Sequence, residues 1–392
     1  MDSGTLRDKM TTTPRMAGPF PPLCLACVTA VVLLSSCTKV GPKSIRNTRF
    51  DYNSAIIDTR NEQMLANLVR LRYRDTPYFI EVSSVATQYV LGVAGSASVG
   101  GIGGPGSKAV GGVGGDVYYE DRPTITYTPL QGETFVNRLL SPVPMGAIVL
   151  LSHSGWRFER LLRCCVQRIN DVWNAPTAAG PTPDLAPDFE RFVEVATLFD
   201  EMGQADALDL RYRRVGAEEI LDTVPLGDPG APFVMTLVFG DAPEIAEQSK
   251  RLKEILGLRS DLNEFFLTTN PTYRSPREIG ILPRALIGVM SYLSQGVEPP
   301  PQDVEAGKVT VTRYRDGAEF EWPVLTGGLF RVASSDKVPN DAFVRVEYRG
   351  TWFYIEDSDL NTKSTFNLLD QLFQLQSGNT RKAGPVLTLP LN

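Results

Sequence analysis

The sequence predicts an α+β protein in two parts, with amphipathic helices packed on mainly antiparallel sheets. Three observations carry that expectation. Apolar residues recur at helical spacing in some blocks and at period two in others, and the blocks never settle into steady βαβ alternation. Proline and alanine crowd residues 174–187, which marks a linker between the parts. The first part also holds a glycine-rich hairpin or loop, residues 92–115, where 11 of 24 residues are glycine and Lys108 is the only charge.

The elements follow in chain order. Arg7, Lys9 and Arg15 precede an apolar run, Leu23 to Leu34, that closes on Leu34-Ser35-Ser36-Cys37. A positive start, a short apolar centre and small residues before a cut mark residues 1–36 as a secretory signal. Twelve residues are too few to span about 30 Å of hydrocarbon, which needs about 20. The Leu-Ser-Ser-Cys ending looks like a bacterial lipobox, which implies cleavage before Cys37 and acylation, by palmitate among other chains, of Cys37. Thr38 follows it, and by resemblance to other lipoproteins the lack of Asp there implies sorting to the outer membrane, on either face.

Without residues 1–36, 356 residues remain, with 36 basic and 43 acidic side chains and a net charge of −7. That balance argues against nucleic acid, whose phosphates need clustered Lys and Arg. Cys24 and Cys27 leave with the signal and Cys37 is lipidated, so Cys164 and Cys165 remain and no disulfide framework is expected. His153 is the only histidine, which excludes His-rich zinc sites. No metal or cofactor is expected.

Residues 37–52 read as a polar tether, and 53–173 as an N-terminal α+β domain. Ile57, Met64, Leu65, Leu68 and Leu71 give its first helix, which Thr76-Pro77 ends. Strand-like runs, Tyr78–Val93 and Val117–Tyr127, flank the glycines, and Thr128-Pro129-Leu130-Gln131 starts a short helix. Gly146–Leu151 reads as a buried strand. Trp156–Trp173 reads as one helix, with Cys165 in its apolar stripe and the more reactive Cys164 among Arg157, Arg160 and Arg168.

After the linker, 188–392 form a C-terminal α+β domain. It opens with a helix, Asp188–Met202, then strands Leu208–Arg213 and Phe233–Phe239. Asp241-Ala242-Pro243-Glu244 caps a helix to Leu256, and Ser275-Pro276-Arg277-Glu278 caps another that Pro283 kinks. Alternation over Val309–Val332 suggests strands around Asp316-Gly317, and a hairpin turns at Arg349-Gly350. A helix, 361–376, and a strand, Pro385–Leu389, close the chain.

Two blocks carry a likeness. Asn61-Glu62-Gln63-Met64-Leu65 leading to Val69-Arg70-Leu71-Arg72-Tyr73-Arg74-Asp75-Thr76-Pro77 is one, and Val346-Glu347-Tyr348-Arg349-Gly350-Thr351-Trp352-Phe353-Tyr354-Ile355 is the other. Both resemble a family of uncharacterised proteobacterial predicted lipoproteins. The resemblance implies a Gram-negative envelope setting and brings no catalytic residue.

Other motifs have plainer readings. Gly101-Ile102-Gly103-Gly104-Pro105-Gly106 spells G-x-G-x-x-G, but a β-like run follows it where a dinucleotide site needs a helix. Gly106-Ser107-Lys108-Ala109 likewise lacks the Gly-Lys-Ser/Thr of a Walker loop. Asp357-Ser358-Asp359 starts like a calcium loop, yet Thr362 and Leu368 stand where Gly and Glu belong, so it reads as the cap of the last helix. His153 between Ser152 and Ser154 reads as structural, since Leu150 replaces the first glycine of a nucleophile elbow. Arg70, Arg72, Arg74, Arg157, Arg160, Arg163 and Arg168 read as solvated helix surface paired with Asp and Glu elsewhere, rather than a grip on lipid phosphate.

The expected function is a lipid-anchored envelope protein with an interaction or assembly role toward another envelope protein, and no catalytic residue is named. An oligomeric outer-membrane pore or secretion channel using the hairpin is the alternative. A carboxylate-only hydrolase is a second, and a small-ligand binder a third.

Overall fold

A computed structural model describes residues 40–100, 110–214, 233–269 and 275–377. Cys37, the secretory signal, the glycine motif at 101–106, Lys108 and the strand expected at 385–389 lie outside them. Contacts divide the chain at Ile57/Asp58, and the larger unit, 58–392, carries the described core.

Helix α1, Val40–Arg72, is continuous, so residues 40–52 are helical where the sequence suggested a tether. Within the larger unit its buried side is Met64, Leu65, Leu68 and Val69. Strands β1, Ile80–Gly100, and β2, Val110–Pro129, then form an antiparallel hairpin from Ile80↔Pro129 to Gly100↔Val110. The glycine-rich residues 92–100 and 110–115 are therefore strand, the hairpin rather than the loop of the two forms expected.

Short helices follow: α2, Glu133–Leu140; α3, Met145–His153; and α4, Phe158–Cys165. Helix α2 starts after Gly132, while Thr128 and Pro129 belong to the end of β2. Helix α3 replaces the strand expected at Gly146–Leu151, because a continuous apolar run has no period to separate a buried helix from a buried strand. Helix α4 stops at Cys165, and Val166–Ile169 (β3) and Val172–Trp173 (β4) turn back on each other. Asn170 makes that turn in the left-handed region at φ 47°.

Helix α5, Glu190–Gln204, strands β5, Leu208–Arg214, and β6, Phe233–Phe239, and helix α6, Ala246–Leu256, come next. Strand β7, Glu264–Thr268, pairs in parallel with β8, Glu278–Pro283, so the stretch expected as a helix before Pro283 is strand. The sheet order is β4-β3-β8-β7-β6-β5, antiparallel except at β7–β8. Helix α7, Leu286–Ser294, is buried along its length, and α8, Pro301–Glu305, and α9, Pro323–Thr326, are single turns. Residues 309–332 carry isolated bridges instead of the expected strands, with the turn at Gly317 retained. Strands β9, Ala333–Ser335, β10, Ala342–Tyr348, and β11, Thr351–Glu356, make a second antiparallel sheet, and α10, Leu360–Ser377, ends the description. The fold class is α+β.

The linker reading is corrected. Asn174, Ala175 and Ala178 are fully buried, and Pro176–Ala179 form a 3-10 turn. Thr312 and Arg313 bond to the Pro183 and Asp184 carbonyls at 2.5 and 3.1 Å. Strand β3 from the first half pairs with β8 from the second. The two expected domains share one apolar core.

Candidate functional site

The hairpin is the feature around which the site is built, and its root is fixed by two amides. Gln63 and Asn67 stand one turn apart on α1 and so share a face. Asn67 accepts from the Tyr78 N–H at 2.9 Å and donates to the Tyr78 carbonyl at 2.6 Å. Gln63 does the same to Ile80 at 2.7 and 3.0 Å. Residues 78 and 80 direct their backbone groups to the edge away from β2, so the amides stand in for a neighbouring strand there. Phe79 between them is buried against Phe373 and Phe135, with ring centroids 5.2 and 5.4 Å away. The Leu130 N–H closes the root on the Phe79 carbonyl at 2.9 Å.

Beyond the root the strands pair with each other as a two-stranded sheet among the described residues. Among the described residues neither shares more than incidental contact with another element. Ile80, Ile125 and Tyr127 are exposed apolar side chains near the base.

The next turn of α1 is tied to the β10–β11 turn. Arg349 and Gly350 both have positive φ, 53° and 81°, as a two-residue hairpin turn of this hand requires. Arg349 reaches Asp75 at 2.8 Å and lies over the rings of Tyr73 and Tyr348, at 5.0 and 5.5 Å. The Tyr348 hydroxyl also donates to Asp75, and with Arg349 it holds that carboxyl below the usual range. Tyr73 donates to Asp303 at 2.7 Å, and Lys308 pairs with the same carboxylate. Arg70 lies over Tyr78 and Tyr348. Residues 70–75 and the turn at 348–350 thus meet here.

Arg72 is buried and donates to the Val297 and Thr310 carbonyls at 3.4 and 3.3 Å, and burial lowers its pKa to about 10. It borders a cavity of about 330 Å³ lined also by Gln295, Glu298, Trp322 and Phe330. Gln295 Oε1 and Trp322 Nε1 have no hydrogen-bond partner among the described residues. A second cavity, about 340 Å³, also borders Arg72 and Gln295.

The remaining sequence candidates have structural places. Arg157 pairs with Asp200, and Arg160 bonds Asn361 and Thr365. Arg163 is buried between Glu159 and the Leu325 carbonyl, and Arg168 lies 4.8 Å over Trp173. Arg74 pairs with Asp184. Arg74, Arg157 and Arg163 pair with acidic side chains as expected, whereas Arg72 and Arg163 are buried where a solvated surface was expected. His153 is exposed at the end of α3, and the flanking Ser152 and Ser154 hydroxyls donate to the Val149 and Leu150 carbonyls. Asp359 accepts from the Thr362 N–H at 3.0 Å and caps α10 as expected.

Cys164 and Cys165 are both buried, so Cys164 lacks the access that its expected greater reactivity needs. Burial pushes the Cys164 thiol up to about 11 and the Cys165 thiol well above its ordinary value. Sequence reasoning also missed Arg284. It is 1% exposed, donates to the Arg163 and Cys164 carbonyls at 2.7 and 3.2 Å, also bonds the Asn174 carbonyl, and stacks 4.1 Å from the Tyr292 ring. A charged residue just after Pro283 in an apolar stretch was the available clue. Glu278 was missed too; it is 3% exposed, and burial raises its carboxyl to about 7.

No family model, curated protein or solved structure matches the chain.

Proposed function

We propose that this chain is a lipid-anchored envelope protein of the outer membrane that works by assembly, with the β1–β2 hairpin as its assembly element. One observation carries the reading: twenty registered residue pairs run the length of a hairpin that no third strand joins among the described residues. At about 3.3 Å per residue the ladder is roughly 65 Å long. Its two outer edges present rows of N–H and C=O groups, which folded proteins ordinarily cover or interrupt. An isolated two-stranded hairpin is marginal in water, so a partner is the physical complement of this one. The lipobox at Cys37 and the likeness to predicted lipoproteins support the envelope setting, with Cys37 as the lipidated residue.

The test uses the full chain in cells, with a photo-crosslinking residue at Gln88. Wild type should give a discrete high-mass adduct, and a variant with Leu91–Tyr119 replaced by Asn-Gly should lose it. The Cys37→Ala protein should lose palmitate label and membrane flotation. Adducts that persist without the distal hairpin would overturn the assembly role, and unchanged flotation of Cys37→Ala would overturn the anchor.

A further inference from the structure

The hairpin divides into two halves of different chemistry. Its root half, residues 80–90 and 120–129, contains Glu81, Glu120, Asp121 and Arg122. Its distal half, 91–100 and 110–119, contains one charge, Asp116. Each distal strand has ten residues, which is the roughly 9–11 that a tilted strand needs to cross hydrocarbon.

Register sorts the distal residues onto two faces. One carries Leu91, Val93, Ala97 and Val99 with Tyr119, Val117 and Val113 opposite, its other positions being glycine. The other carries Ala94, Ser96 and Ser98 with Tyr118, Asp116 and glycines opposite, and only Val110 among larger aliphatic residues. An apolar face free of charge, a small polar face, and tyrosines at the charged boundary are the pattern of a membrane-spanning β-strand pair. The apolar face is visible only in register, because glycines interrupt the alternation along either strand alone.

We infer that the distal half, Leu91–Gly100 with Val110–Tyr119, crosses a lipid bilayer beside the same hairpin from other copies of this chain, closing a β-barrel. The inference deepens the assembly reading above and rests on it. Lipid cannot satisfy the two open edges, so a lone hairpin is excluded from hydrocarbon and edge-to-edge pairing must run until the ring closes. Copies of one chain meet that need, because every hairpin offers one β1 edge and one β2 edge. Barrels of this kind start at about eight strands, which sets a minimum of about four copies. The charged root half stays in water, where Gln63 and Asn67 cover the first residues of the β1 edge.

The experiment places the full lipidated chain in phosphatidylethanolamine–phosphatidylglycerol vesicles, with one cysteine introduced at Val93 or at Ala94. Cys164 and Cys165 are buried and give low background. An impermeant maleimide should label Ala94→Cys about tenfold faster than Val93→Cys, the difference between a lumen and a lipid position. A bimane at position 93, and not at 94, should be quenched by nitroxide lipids. The intact protein should conduct in planar bilayers, and the Leu91–Tyr119 replacement should not. Equal labelling at both positions places the hairpin in water and overturns the inference in favour of a soluble partner. Alternation without conductance overturns the closed barrel. If the Gln88 adducts survive that overturning, the assembly reading stands and membrane insertion alone has failed.

Discussion

The hairpin and the body satisfy their backbones in opposite ways. In the body, buried side chains do much of the work: Arg284 and Asn174 together take the carbonyls at the end of α4, and Asn170 bridges β8 to the Leu256 carbonyl. In the hairpin, the ladder pairs main chain with main chain, helped by the two amides at its root and the Ser83 hydroxyl on the Thr126 carbonyl, and no third described strand takes an outer edge. The difference teaches where each region keeps its stability. The described body buries a shared apolar core, whereas the hairpin's outer edges meet no third described strand.

The sharpest attack on the body is Arg284→Ala. It leaves the Cys164 and Asn174 carbonyls without their buried side-chain donor, takes one of two from the Arg163 carbonyl, and opens a cavity beside Tyr292. The expected cost is about 3–5 kcal/mol, from unpaired groups plus lost packing. Thermal melts measure it, and thiol labelling gives a second reading. Neither Cys164 nor Cys165 should react with maleimide in the folded wild type, and both should react together as Arg284→Ala opens. Selective reaction of Cys164 in the wild type would show that the helix is not packed as described.

The root is where the two regions join, and Asn67→Ala attacks the join. It strips two hydrogen bonds from Tyr78 at a position with no solvent exposure, at a cost of about 1–3 kcal/mol. Hydrogen exchange should quicken at Tyr78 and Ile80 while α5 and α6 keep their protection. Uniform loss of protection would mean that the root belongs to the body's cooperative unit.

Much of the fold was legible where one local rule dominated. The β10–β11 hairpin has alternation on both arms and a glycine in its turn, and α5 and α10 have long apolar stripes. Elsewhere local rules competed. Ser275 does make the turn that its capping pattern suggests, accepting from the Arg277 N–H at 3.3 Å, but pairing with β7 then draws residues 278–283 into a strand. Asn170-Asp171 between Ile169 and Val172 is a hairpin signal that the surrounding helical spacing hid. In the candidate site, Gln63 and Asn67 stand at helical spacing and were readable as a pair. Their target, and the contact of Asp75 with Arg349 across 274 residues, depend on tertiary structure and leave no local trace.

Glu278 adds a pH test of the body. Its carboxyl is raised from the ordinary 4.5 to about 7 by burial. Below pH 4.5 the folded and unfolded chains both hold the proton, and the group costs nothing. As pH rises towards 7 the unfolded chain loses its proton first, so stability falls across that window and levels off above it. Glu278→Gln should remove the slope and stabilise the protein at pH 8 by about 1–2 kcal/mol. Urea midpoints at pH 4.5 and pH 8 measure this, and an unchanged slope in the variant would remove Glu278 as its source.

The smallest expected effect is the most informative about the two regions. Replacing Leu91–Tyr119 with Asn-Gly keeps the ladder as far as Val90↔Glu120 and removes everything distal. Large excisions in folded proteins usually cost stability because they expose core. Here the excised strands share no more than incidental contact with other described elements, and the root retains Phe79, Gln63 and Asn67. The loop to be closed also becomes shorter, which offsets small losses at the new turn. The unfolding free energy of the body, read from urea melts, should therefore stay within about 0.5 kcal/mol of wild type, as for surface changes away from buried features. A larger loss would show that the distal hairpin folds back and lends stability to its own chain. It would then be a structural part of the body, and its open edges would not be waiting for another copy.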